Sequence, residues 1–163
     1  MLYRIFLFTV IILSGCTFST DNSRELCGNE KDLMGLGLMG YDNWEEALAC
    51  AEKLEKPVFL MFTNRNRSEQ SFERFIYPNK NVQQYLTGHF IPLLLFTDDK
   101  EDGEKNRKIE NGRFLKNTQP FYILLDKNGQ PLTGPWEYTR NPAIFLEKFK
   151  LGMHILEDSD ARR

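Results

Sequence analysis

KPVFLMFTNRNRSEQSF, residues 56–72, is the stretch whose reading decides the fold. VFLMFT, residues 58–63, is a continuous apolar run. Continuity without alternation marks a strand buried on both faces, as in a sheet covered by helices. Lys56-Pro57 ends whatever helix precedes it, because the residue before a proline avoids the α region. After Thr63 the chain turns polar through Asn64, Arg65, Asn66, Arg67, Ser68, Glu69 and Gln70. Asn66 has Glu69 three residues on and Ser68 has Ser71, so either can cap a following helix. That helix runs to about Tyr77, with Phe72, Phe75 and Ile76 expected inward. A strand that feeds a helix start is a common place for chemistry, because unpaired N–H groups and the helix dipole converge there. None of the residues in this turn is a cysteine.

Upstream, Asp42 or Asn43 caps a first helix, and Glu45 stands three residues after Asp42 as a capping box requires. Trp44, Ala47, Leu48, Ala51 and Leu54 make its apolar face, with Cys50 beside it. Downstream, Pro78-Asn79 breaks the second helix, and Val82, Tyr85, Leu86 and Phe90 mark a third. IPLLLF, residues 91–96, is a second continuous strand. Residues 100–117 are highly charged, with Ile109, Phe114 and Leu115 as the few apolar members. They read as a partly helical, solvent-facing excursion. TQPFYILLD, residues 118–126, is a third strand. Lys127-Asn128-Gly129-Gln130 is a hairpin turn in which Asn-Gly supplies positive φ values. Residues 131–138 return as an edge strand, judged by Pro131 and Pro135. Asn141-Pro142 opens a last helix with Ile144, Phe145, Phe149 and Met153 on its apolar face. Residues 157–163 read as a polar tail. The sum is an α/β domain, a mixed central sheet with helices on both faces.

Composition fits one domain: 163 residues, 41% hydrophobic and 27% charged, with aromatics enough for a core without metals. The net charge of −2 and the interspersed basic residues argue against a nucleic-acid partner. Cys16, Cys27, Cys50, His89 and His154 lack metal-ligand spacing, and nothing else in the chain calls for a metal or cofactor.

Residues 1–15 carry Arg4 and an apolar run from Ile5 to Leu13. That run is shorter than the roughly 17–25 residues a membrane-spanning helix needs, so it reads as a signal peptide. Leu13-Ser14-Gly15-Cys16 resembles the bacterial lipobox, which implies lipidation of Cys16; the alternative is an ordinary secretory signal with a chance cysteine. A lipid anchor holds a protein at a membrane through buried CH₂ groups, at about 0.8 kcal/mol each. The expected place is the cell envelope, facing the periplasm or the cell surface. Thr17 in place of aspartate leans towards the outer membrane. Residues 16–40 read as lipidated N-terminus and tether. Within them DLMGLGLMG, residues 32–40, is either linker or an extended segment lying on the domain.

The order of elements, with KPVFLMFT, TQPFYILLDKNGQPL and the closing amphipathic helix, resembles the thioredoxin superfamily. It is similar above all to the C-terminal domain of membrane thiol:disulfide interchange reductases and related bacterial lipoproteins. The resemblance spans about residues 41–153, within an expected domain of residues 41–156. It implies a cis Gln119–Pro120 bond after Thr118, facing the active site. In working members the turn after the first buried strand holds Cys-x-x-Cys at the helix start, where the dipole stabilises a thiolate. Arg67, Ser68, Glu69 and Gln70 stand there instead, and no cysteine follows Cys50. A serine hydroxyl without a general base does not replace a thiolate.

Three functions follow from the resemblance. One is a redox-inactive binding or accessory module, taking a protein or peptide partner in the groove between residues 65–70 and Gln119–Pro120. There Arg65 and Arg67 either await an acidic partner or are simply solvated. Another is an oxidoreductase using Cys27 and Cys50; the same pair could instead form a structural disulfide, and Cys50 could be a core residue. The third is a scaffold in a membrane assembly.

Overall fold

The computed structural model describes residues 27–64, 71–116 and 118–162. Cys16 and the Arg65, Arg67, Ser68, Glu69 and Gln70 turn lie outside the described residues. The central sheet has four strands: β3 (Val58–Thr63), β4 (Ile91–Phe96), β5 (Phe121–Leu125) and β6 (Trp136–Glu137). Their order is β4-β3-β5-β6. β3 runs parallel to β4 and antiparallel to β5, and β6 is antiparallel to β5. The expected mixed α/β sheet is therefore present. All six residues of β3 are buried, as the continuous apolar run predicts.

Successive side chains of β3 feed two separate cores. Val58, Leu60 and Phe62 join Leu93, Leu95, Phe121 and Ile123 under helix α1 (Trp44–Leu54) and helix α4 (Gly103–Phe114). Phe59 and Met61 join Tyr122, Leu124 and Trp136 on the other face. That face is covered by a short helix α2 (Phe72–Ile76), by α3 (Lys80–His89) and by α5 (Pro142–Asp160). Helices on both faces follow from the period-2 side-chain geometry of a strand that is apolar throughout.

Asn43 caps α1 by accepting from Glu46 N at 3.1 Å, which decides between the two expected caps. Residues 32–40 are not linker. β1 (Lys31–Leu33) and β2 (Leu38–Gly40) form an antiparallel hairpin, and Leu33 and Leu38 enter the core. The folded unit thus begins before residue 41. Tyr41 then extends the sheet beyond β4, with Tyr41 N donating to Pro92 O and Leu94 N to Tyr41 O, both at 2.9 Å. This crossing has room only for glycine at residue 40, where a Cβ would stand 2.5 Å from Pro92 O. Because the obstacle is backbone, Gly40→Ala is expected to cost about 1–3 kcal/mol, read by urea denaturation. A neutral result would mean the hairpin can lift off β4.

Several sequence expectations are corrected. α2 is a π-turn, closed by Tyr77 N donating to Phe72 O at 2.8 Å. Phe72 and Ile76 point inward, but Phe75 is 42% exposed. The returning strand is only two residues, with one further bridge at Pro131. In the 127–130 turn only Gly129 has positive φ. The Asp126 carboxylate does the rest, accepting from Asn128 N and Gln130 N at 2.8 Å each. Ile144 is exposed, and α5 continues to Asp160 through most of the expected tail. The excursion over residues 100–117 is largely α4, and one side of it is buried.

Candidate functional site

β3 and β4 end side by side at Thr63 and Thr97, where Thr97 N donates to Thr63 O at 2.9 Å. One step beyond the Phe62–Phe121 pair, β5 is entered through Gln119–Pro120, and that peptide bond is cis. Thr118 is exposed, Gln119 half-buried and Pro120 buried. The C-terminal end of the parallel strand pair and the start of β5 therefore meet at one edge of the molecule.

The loop is held from two sides. Outside, the Glu137 carboxylate accepts from Thr118 Oγ1 and from Lys116 Nζ, both at 3.1 Å. The Lys116 ammonium, then the Thr118 hydroxyl, hold the Glu137 carboxyl below the usual carboxylate range. Inside, α4 offers a polar face. Asn106 Nδ2 donates to Phe96 O at 2.8 Å, and Arg107 donates to Thr97 O. The Gln119 amide donates to Thr97 Oγ1, and its Nε2 lies 3.4 and 3.5 Å from the two carboxyl oxygens of Glu110. Asn106 and Glu110 are both buried. Burial pushes the Glu110 carboxyl above its ordinary range, against the smaller opposite pulls of Gln119 and Arg107.

Past β6 the surface is aromatic. Phe75 and Tyr138 are 42% and 50% exposed, and the Arg140 guanidinium lies 4.9 Å and 5.9 Å from their ring centroids. Arg140 Nε also donates to the Tyr138 hydroxyl. Stacked in this way, the guanidinium keeps its edge for a further acceptor.

Cys27 and Cys50 are joined by a disulfide with Cα atoms 5.4 Å apart. The bond sits on α1, beside an open cavity of about 180 Å³ lined by Gly28, Asn29, Glu46, Ala49 and Lys53 as well as both cysteines. Residues 118–120 do not line that cavity. The structure therefore brings Thr118, Gln119 and Pro120 together with the strand ends and keeps the disulfide elsewhere. Sequence reading missed Asn106, Glu110, Thr97 and Arg107. A signal was there: residues 103, 106, 110 and 114 recur at helical spacing, but with mostly polar members. An apolar-periodicity reading passes over such a face.

Two solved structures share this architecture. A thioredoxin from Thermus thermophilus matches with a TM-score of 0.55 and 20% identity, covering 68% of this chain and 84% of its own. A structure described as DsbH oxidoreductase matches with a TM-score of 0.58 and 17% identity, covering 80% of this chain and 97% of its own. No protein-family model matches the chain, and no curated protein sequence does. At such identities the likeness concerns the fold, and the fold is thioredoxin-like.

Proposed function

We propose that this thioredoxin-like chain is a lipid-anchored binding module of the cell envelope, which receives an extended segment of a partner protein across the Gln119–Pro120 loop without redox chemistry there. The observation that carries the reading is the place of the Gln119–Pro120 loop, at the strand ends and bordered by exposed Thr118. A main-chain edge at such a loop can pair with an extended peptide through backbone groups alone. The exposed Phe75 and Tyr138 rings would add apolar contact, and the Arg140 edge would take an acidic residue. The reading is supported at this loop by the sequence, in which no cysteine follows Cys50. Export and anchoring rest on the residues 1–15 signal and Cys16, with the periplasmic side of the outer membrane as the proposed place.

Binding of a peptide array of unstructured decamers is the direct test. A retained subset should lose about tenfold or more in affinity in the Phe75→Ala/Tyr138→Ala pair, equivalent to about 1.4 kcal/mol. Array binding that is indifferent to these changes would sink the cleft. Palmitate labelling should vanish in Cys16→Ala, and labelling that persists removes the anchor.

A second reading is favoured by the disulfide itself. In it a dithiol substrate attacks Sγ of half-buried Cys27 and releases the Cys50 thiolate, which takes up a proton. The substrate's second thiolate then displaces Cys27, leaving substrate oxidised and both cysteines reduced. Oxidation of one equivalent of dithiol substrate per protein, lost in Cys27→Ser, would put this reading first.

A further inference from the structure

Leu115 is 88% exposed and ends α4 in the left-handed conformation, with φ 51° and ψ 38°. That conformation is routine for glycine and tolerated by asparagine, so those two residues usually stand where a helix ends this way. Three other non-glycine residues among those described have positive φ, and each has a local reason. Asn29 is an asparagine. Met34 packs against the larger core. The Glu55 carboxylate pairs with Lys127 at 2.7 Å. Leu115 instead joins a disfavoured backbone to an apolar side chain left in water, and the domain by itself gains little from either.

The leucine is also held in place. Phe114, one residue before it, packs against Phe62, Phe121 and Trp44, with ring centroids 5.8, 6.0 and 6.3 Å away. Phe121 directly follows Pro120. Lys116, one residue after it, pairs with Glu137 at 3.1 Å, and the same Glu137 oxygen accepts from Thr118. Leu115 therefore stands on a fixed stem beside the Thr118–Pro120 loop, with a charged pair at its rim. An apolar group fixed before contact and rimmed by polar ones has the build of an interface centre, because little ordering is left to lose on binding.

We propose that Leu115 is the apolar anchor of the cleft: it packs against an apolar side chain of the extended segment received at the Gln119–Pro120 loop, and so selects segments that carry one. The proposal rests on the binding reading above. It adds an apolar requirement on the Thr118 side to the acidic one at Arg140.

The test compares Leu115→Asn with Leu115→Met, reading stability by urea denaturation and affinity for decamers that the wild type retains. Asparagine suits the left-handed backbone and removes the apolar surface. Its urea midpoint should equal or exceed that of the wild type, while affinity falls about tenfold or more, the loss expected for a leucine buried on binding. Leu115→Met keeps an apolar side chain of similar volume and should bind as the wild type does. A serine scan of one retained decamer should find an apolar position whose replacement weakens binding to the wild type but hardly changes binding to Leu115→Asn. Wild-type affinity in Leu115→Asn, or a scan with equal losses in both proteins, overturns the anchor; loss of binding in Phe75→Ala/Tyr138→Ala then shows the cleft still standing. A lower urea midpoint in Leu115→Asn overturns it too, because the leucine then serves the fold. Retention of no decamer by the wild type removes the cleft, and the anchor with it.

Discussion

Phe59→Ala is expected to cost the folded state about 3–5 kcal/mol, the range for truncating a buried aromatic residue. Phe59 is 2% exposed and stands at the centre of the larger core. Its ring centroid lies 5.3 Å from Phe149, 5.9 Å from Phe72, 6.0 Å from Tyr122, 6.2 Å from Phe145 and 6.3 Å from Trp136. Those partners come from α5, α2, β5 and β6, so one ring joins four elements. Removing it leaves a cavity walled by other large rings, which cannot close over it without leaving their own contacts. A domain has about 5–15 kcal/mol of stability in all, so this change alone brings it close to unfolding. Urea denaturation should show a lower midpoint at an unchanged slope. Phe75→Ala, one turn along α2 from Phe72 but exposed, should change the unfolding free energy by no more than about 0.5 kcal/mol. Comparable losses at the two positions would refute the assignment of the core.

Breaking the Cys27–Cys50 bond should be the next largest change. The cysteines are 23 positions apart, and closing a loop of that size removes unfolded-chain entropy worth about 3 kcal/mol. The closed loop contains the whole β1–β2 hairpin and the first half of α1. Cys50 is buried beside Ala47 and Ala51, whereas Cys27 lies at the margin. Cys27→Ser/Cys50→Ala should therefore unfold at a lower denaturant concentration and become insensitive to dithiothreitol, while the wild type becomes sensitive. Equal stability of the two proteins, oxidised, would mean that this bond contributes nothing to folding. The measurement also bears on the redox reading, because a disulfide that contributes strongly to stability resists the reduction a turnover cycle requires.

Much of the fold was legible in residue order. Two continuous apolar runs became β3 and β4, and α1 and α3 fell where their apolar spacing placed them. The Gln119–Pro120 step came from likeness to a family, since no local property of Gln-Pro distinguishes cis from trans strongly enough. The site was legible only in part. The cis Gln119–Pro120 step was expected and is present; the α4 side of the same loop was not foreseen.

The physical reason is what each kind of pattern can encode. Apolar periodicity reports burial that is driven by the hydrophobic effect, and that effect depends on the residue alone. By itself the sequence determined the buried strands, the buried faces of α1 and α3 and the absence of any cysteine in the turn after β3. Polar burial depends on a partner, which no local pattern names. Asn106 and Glu110 turn inward because the Phe96 carbonyl and the Gln119 amide wait for them there, on segments 10 and 9 positions away. Phe75 turns outward because one π-turn shifts the phase of the helix after Phe72. The tertiary structure alone decided these, together with the joining of Cys27 to Cys50, because each requires two distant groups to arrive in one place.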